Sequence, residues 1–172
     1  MGLFTHFVGL HTKGPLCEGA APGCALFLVQ HVQKFHHPHG AHPGRSLGIR
    51  VGHASYPPAG VADYTVMLTL MALRKAKLVD IASSYQDFGL RGKIGRSLNT
   101  CTVGVVGTGA IGEAVCERLA GFGCRIVACD PYPKDRLRGR VEYLELDELL
   151  ACADVVTLHA PGLPVNEHMI GA

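Results

Sequence analysis

The chain has 172 residues, 48% of them hydrophobic, with a formal charge of +2. That length holds one ordinary domain, or a small domain plus part of another, and the apolar content is enough for a packed core. The near-neutral balance and the lack of a long basic run argue against nucleic-acid and membrane partners.

Residues 1–46 differ in kind from the rest. They hold seven of the ten histidines and a single acid, Glu18, and His, Pro and Gly crowd residues 35–44. Only Ala25 to Val32 reads as a short strand or helix. The segment reads as disordered or as out-of-frame translation, a hypothesis that related genes encoding it in frame would overturn. Its Cys17, Cys24, His31, His36, His37, His39 and His42 raise a metal-binding reading, but their spacing matches no structural zinc pattern and no metal ligand is assigned.

From Leu47 the texture is ordinary. Residues 48–52 read as a strand and Tyr56-Pro57-Pro58 as a turn. Val61 to Lys77 reads as a helix apolar around most of its circumference, hence mostly buried, with Met67 and Met71 in the core. Leu78 to Gln86 reads as a second helix and Asp87 to Ser97 as a linker. The expected divisions are 47–98, a remnant of a second domain with a long helix and linker, and 99–172.

The second unit carries the strongest signal. A β-branched run, Val103 to Val106, feeds Gly107-Thr108-Gly109-Ala110-Ile111-Gly112. A helical pattern follows (110–121), then a strand (125–129) closing on Asp130, 18 residues after Gly112. This is the order of a dinucleotide-binding βαβ unit. Gly107 permits the turn, Gly109 lets a pyrophosphate approach the backbone, and Gly112 lets the helix pack on the strand. Asp130 suits ribose hydroxyls and repels a 2′-phosphate, which favours NAD over NADP. A possible strand at 141–144, a helix at 146–152 with acids near its start, and a strand at 154–158 complete the alternation. The expected fold class is α/β, a Rossmann-type parallel sheet lacking its last strands, with an unpaired hydrophobic edge beside 154–158. The scattered cysteines read as small buried hydrophobes. No basic leader or apolar run of spanning length is present, which leaves a cytoplasmic location as the expectation.

Four segments (47–52, 55–65, 103–112 and 157–170) resemble the NAD-dependent D-2-hydroxyacid dehydrogenases, and among them the D-lactate dehydrogenases, including the vancomycin-resistance type. The resemblance covers Leu47 to Ile170. It implies an oxidoreductase that reduces pyruvate or a similar 2-keto acid with NADH, working as a homodimer through the helix from Val61. It also implies backbone contacts from Ala110 and Ile111 to the pyrophosphate and adenosine ribose contacts from Asp130. Ala160, Pro161 and Asn166 would stand at the coenzyme cleft, and Tyr56 beside it.

His159 reads as cleft lining or as a structural histidine, Tyr56 as a cleft residue or a packed turn aromatic, and Asn166 as a coenzyme neighbour or a loop cap. The family's catalytic Arg, Glu and His fall beyond Ala172, so no catalytic residue is assigned and the chain alone is expected to be inactive. The alternative is an NAD-binding sensor or corepressor-type module without dehydrogenase activity.

Overall fold

The computed structural model describes residues 6–10, 26–30, 57–162, 164–166 and 168–170. The expected strand at 48–52, the Tyr56 turn and the histidine cluster lie outside the described residues.

Four parallel pairings and one antiparallel pairing make a six-stranded sheet in the order β1 (His6–Leu10), β2 (Leu26–Gln30), β6 (Val155–Leu158), β3 (Thr102–Val106), β4 (Arg125–Cys129), β5 (Glu142–Tyr143). At its centre lies β3 (Thr102–Val106), between β4 (Arg125–Cys129) and β6 (Val155–Leu158). Val103, Val105, Val106, Val127, Val155 and Val156 are all buried. Both faces are covered, which is why these strands read as continuous apolar runs rather than alternating ones. A short strand, β5 (Glu142–Tyr143), adds to the outer side of β4.

One face carries α3 (Ala110–Ala120), which buries Val115, Cys116 and Leu119. The other carries α4 (Leu146–Cys152), whose Leu149 is fully buried. The acids expected near the start of α4 cap it. Glu145 and Glu148 form a reciprocal capping box over the exposed N–H groups of the first turn.

Two findings correct the sequence reading. The first concerns the long helix, which is α1 (Ala59–Leu73), followed by a separate α2 (Ala76–Ser84). The break falls at Lys75, which adopts a left-handed conformation (φ 53°). Only Ala62, Thr65, Val66 and Thr69 are buried, a stripe at i, i+3, i+4 and i+7 that packs on α3. Thr65 and Thr69 satisfy their buried hydroxyls on the carbonyls of Val61 and Thr65. Met67 and Met71 are more than 40% exposed, not core. The helix packs mainly on α3, with lesser contacts to α2 and to the strand at 26–30, and the face turned away from these neighbours, Met67 and Met71 included, is left pointing outward. Asp63 is ion-paired with Arg118 across the α1–α3 seam.

The second concerns the sheet edge. The edge of β6 is paired: β2 (Leu26–Gln30) runs parallel to it, with Leu26 opposite Val155 and Val29 opposite Leu158. The outermost strand is β1 (His6–Leu10), antiparallel to β2. The range Ala25 to Val32, open between strand and helix from sequence, holds a strand because the exposed backbone of β6 offers it a ladder.

The segment 87–97 has little regular structure but is tied down. The Arg96 N–H donates to the Leu73 carbonyl (3.0 Å) and Lys93 is ion-paired with Asp87 (2.7 Å). Arg96 also reaches Asp154, at the entrance to β6. One Asp154 oxygen accepts from the Arg96 guanidinium (2.7 Å), the other from the Thr102 N–H (2.8 Å). Burial alone would raise the Asp154 carboxyl, but these two donors and the Arg96 charge outweigh it and hold it below the ordinary range. Asp154→Ala should destabilise the chain by about 2 kcal/mol, because it strands the Thr102 N–H at the start of the central strand. A urea midpoint unchanged from wild type would show the clip to be idle.

Candidate coenzyme site

The C-terminal ends of β3, β4 and β6 converge on the glycine loop, 107–112. At Gly107 the chain turns with φ +88°, and the loop presses on the backbone that follows β6. A Cβ on Gly107 would come within 2.8 Å of the Ala160 nitrogen and 2.9 Å of the His159 carbonyl carbon. The structure thus brings Gly107, His159 and Ala160 together. Two backbone bonds fix the approach: the Gly107 N–H to the Cys129 carbonyl (2.8 Å) and the His159 N–H to the Val106 carbonyl (2.7 Å).

The next two glycines are needed for opposite reasons. A Cβ on Gly112 would stand 1.9 Å from the Gly107 carbonyl oxygen, so α3 can lie this close to the loop only with hydrogen there. A Cβ on Gly109 would meet nothing within 4 Å. Gly109 is also the N-cap of α3, with no side chain capping the helix, and both Gly109 and Ala110 are exposed. Uncapped N–H groups beside an empty approach at a helix N-terminus fit an anionic group such as a pyrophosphate.

Thr108 is fully buried and anchors the loop sideways. Its N–H and its hydroxyl both donate to one oxygen of Asp130, at 2.5 and 3.0 Å. The other Asp130 oxygen accepts the Tyr132 N–H at 2.8 Å. A carboxylate has roughly four acceptor positions, so three are used and a direction remains for a ribose hydroxyl. Asp130 therefore shapes the loop as well as facing the candidate ribose position.

Sequence reasoning missed Tyr143. Its hydroxyl accepts the Lys134 N–H (3.0 Å) and donates to the Thr108 hydroxyl (3.2 Å). The sequence signalled a possible strand at 141–144, but nothing in it set the Tyr143 hydroxyl beside the glycine loop. Sequence reasoning also missed the tie between Glu113, in the first turn of α3, and Arg136 (2.7 Å), which draws the loop after β4 toward the helix.

Past β6, the His159 ring is 2.9 Å from the Thr157 hydroxyl. Burial pushes its pKa down to about 4. His159 is therefore a neutral imidazole near pH 7, suited to lining and hydrogen bonding rather than to proton donation. The Asn166 side chain donates to the Pro161 carbonyl (2.8 Å), closing the loop between them. Tyr56 lies outside the described residues.

Among the described residues no cluster of His, Cys, Asp and Glu could hold a metal, and no helix is long and apolar enough to cross a membrane. The cysteines at 101, 116, 124, 129 and 152 are free thiols. Burial pushes the Cys116 thiol up to about 12, which keeps it protonated and inert.

Fold and glycine loop together define a Rossmann-type NAD-binding domain. The family profile "D-isomer specific 2-hydroxyacid dehydrogenase, NAD binding domain" matches residues 66–172, and the chain belongs to that family. It is 48% identical over 125 residues to a D-specific alpha-keto acid dehydrogenase of Enterococcus faecalis, covering 73% of this chain and 38% of that protein. It is 38% identical over 130 residues to the D-lactate dehydrogenase of Lactiplantibacillus plantarum, covering 74% and 39%.

Among solved structures, apo D-lactate dehydrogenase from Escherichia coli matches with a TM-score of 0.69 at 34% identity, over 74% of this chain and 41% of that one. D-lactate dehydrogenase from Aquifex aeolicus, complexed with NAD and lactic acid, matches with a TM-score of 0.67 at 32% identity, over 74% and 39%. The chain thus spans about two fifths of the length of these relatives. With relatives named as dehydrogenases, the sensor alternative is not favoured.

Proposed function

We propose that the chain forms the coenzyme-binding part of an enzyme that reduces a 2-keto acid, pyruvate or a close analogue, to the D-2-hydroxy acid with NADH. The observation that carries this reading is the uncapped N-terminus of α3 at Gly109, open to an anion and set beside the Asp130 carboxylate. In this reading Gly107, Thr108, Gly109 and Gly112 shape the phosphate cradle, and the N–H groups of Ala110 and Ile111 hold the pyrophosphate. Asp130 takes the adenosine ribose hydroxyls and repels a 2′-phosphate. His159, Ala160, Pro161 and Asn166 line the cleft past β6, and Tyr56 is proposed as a further coenzyme neighbour on the family resemblance alone. NAD supplies the hydride chemistry when bound.

Burial holds His159 neutral near pH 7, which suits it to lining the cleft; we assign no catalytic residue and propose that the 172-residue chain binds coenzyme without turning substrate over. The exposed Met67, Met71 and Tyr64 of α1 suit burial against a second subunit, in line with a homodimer in the full-length enzyme. A cytoplasmic setting is proposed with it.

The test is titration of the purified chain with NADH and NADPH, followed by fluorescence of the bound nicotinamide, and then addition of pyruvate. NADH should bind, NADPH should bind at least tenfold more weakly, and pyruvate should cause no NADH oxidation. Absence of NADH binding would overturn the coenzyme reading, and turnover would overturn the proposed inactivity.

A further inference from the structure

We propose that Tyr143 is a positioning residue that sets the coenzyme preference of this site, by locking Asp130 through Thr108. This rests on the coenzyme reading above. The observation is a one-directional chain of four hydrogen-bonded groups. The Lys134 N–H donates to the Tyr143 hydroxyl (3.0 Å), and that hydroxyl donates to the Thr108 hydroxyl (3.2 Å). The Thr108 hydroxyl in turn donates to Asp130 (3.0 Å).

Each hydroxyl has a single proton, so the direction is fixed. Because the Lys134 N–H occupies the Tyr143 oxygen, the tyrosine proton is turned toward Thr108. Because Thr108 accepts that proton, its own is turned toward Asp130. Such chains strengthen along their length, and this one ends on a carboxylate.

The chain also joins three elements of different origin. Tyr143 sits on β5, held in register by the pairing of Ala128 with Tyr143 and by the Leu144 N–H to the Ala128 carbonyl (2.8 Å). Thr108 belongs to the glycine loop and Lys134 to the loop after β4. One phenol therefore ties the candidate phosphate cradle to the candidate ribose loop. Thr108 is fully buried, so no water can replace the tyrosine proton without opening the loop.

Without that proton the Thr108 hydroxyl is free to turn, and Asp130 keeps the Thr108 and Tyr132 N–H donors but loses the hydroxyl that completes its orientation toward the ribose. Binding of NADH, which uses that orientation, then suffers more than binding of NADPH, which Asp130 opposes in any case.

The experiment compares the wild-type chain with Tyr143→Phe, which keeps the ring and removes the hydroxyl, in titrations with NADH and NADPH. Thr108→Val and the double variant complete a cycle, and urea midpoints confirm that each variant is folded under the titration conditions. The expected result is NADH binding about tenfold weaker in Tyr143→Phe, NADPH binding less affected, and hence a narrowed preference. Thr108→Val should give the same narrowing, and the double variant no more than either single one.

Equal weakening of both nucleotides, or additive effects in the double variant, would overturn the proposal and leave Tyr143 a packing residue. Unchanged NADH binding in Tyr143→Phe would overturn it alone, leaving the coenzyme reading intact. A wild-type chain that binds neither nucleotide would overturn both.

Discussion

Gly112→Ala should unfold the chain or cost it about 4 kcal/mol, whereas Gly109→Ala, three residues earlier in the same loop, should leave stability unchanged and weaken NADH binding on the order of 100-fold. The Gly112 variant forces a methyl group to within 1.9 Å of the Gly107 carbonyl oxygen. That oxygen is backbone and cannot swing aside, so either α3 lifts from the sheet or the loop distorts. Lifting α3 exposes Val115, Cys116 and Leu119, all fully buried now. Overpacking against rigid backbone belongs to the few mechanisms that yield the largest single-site losses.

At Gly109 the new methyl enters open space, and φ of −60° with ψ of −164° is accessible to alanine. Its cost falls on the ligand, by holding the pyrophosphate off the N–H groups of α3. Two or so charge-assisted hydrogen bonds lost at about 1.5 kcal/mol each give the stated factor. Urea midpoints and NADH titration separate the two effects. A Gly109→Ala chain that still binds NADH like wild type would remove the phosphate from this loop.

His159 should make the chain acid-sensitive in a defined window. Its folded pKa is about 4, against an ordinary histidine near 6.5 in the unfolded chain. Above about pH 6.5 both states hold a neutral ring, so the group contributes no pH dependence. As pH falls below that, the unfolded chain takes up a proton that the folded chain excludes, and stability is lost. The loss stops near pH 4, where the folded ring is protonated too, after a total of about 3 kcal/mol. Carboxylates such as Asp154 add their own acid sensitivity at lower pH, so the measurement is a difference. Urea midpoints of wild type and His159→Gln, compared from pH 7.5 to 4.5, should diverge in slope below pH 6.5, with the variant flatter. Parallel slopes would show that the ring takes up protons freely in the folded state.

What the sequence disclosed and what it withheld follow one physical line. Elements in which backbone period, glycine placement and a terminal acid all agree are legible, and β4 and α4 coincide with their expected ranges. Relations between distant side chains are not. Nothing local in Val-Glu-Tyr-Leu says that the Tyr143 hydroxyl reaches Thr108, or that Asp154 would secure Thr102. The error on α1 has a different origin. Apolar content around a helix predicts burial only if enough neighbours surround it, and the number of neighbours is a property of the assembled fold. Met67 and Met71 read as core because hydrophobicity reports what a residue tolerates, not what happens to lie against it.

The pairing of β2 with β6 bears on the order in which the molecule assembles. The unit from β3 through α3 to β4 can form from neighbouring residues, and its closures cost little chain entropy. The ladder that sets Leu26 beside Val155 joins residues far apart along the polypeptide, and such a contact forms late because the loop it closes is long. During synthesis the residues of β2 leave the ribosome long before β6 exists. They must therefore spend that interval without the partner strand that gives them their place.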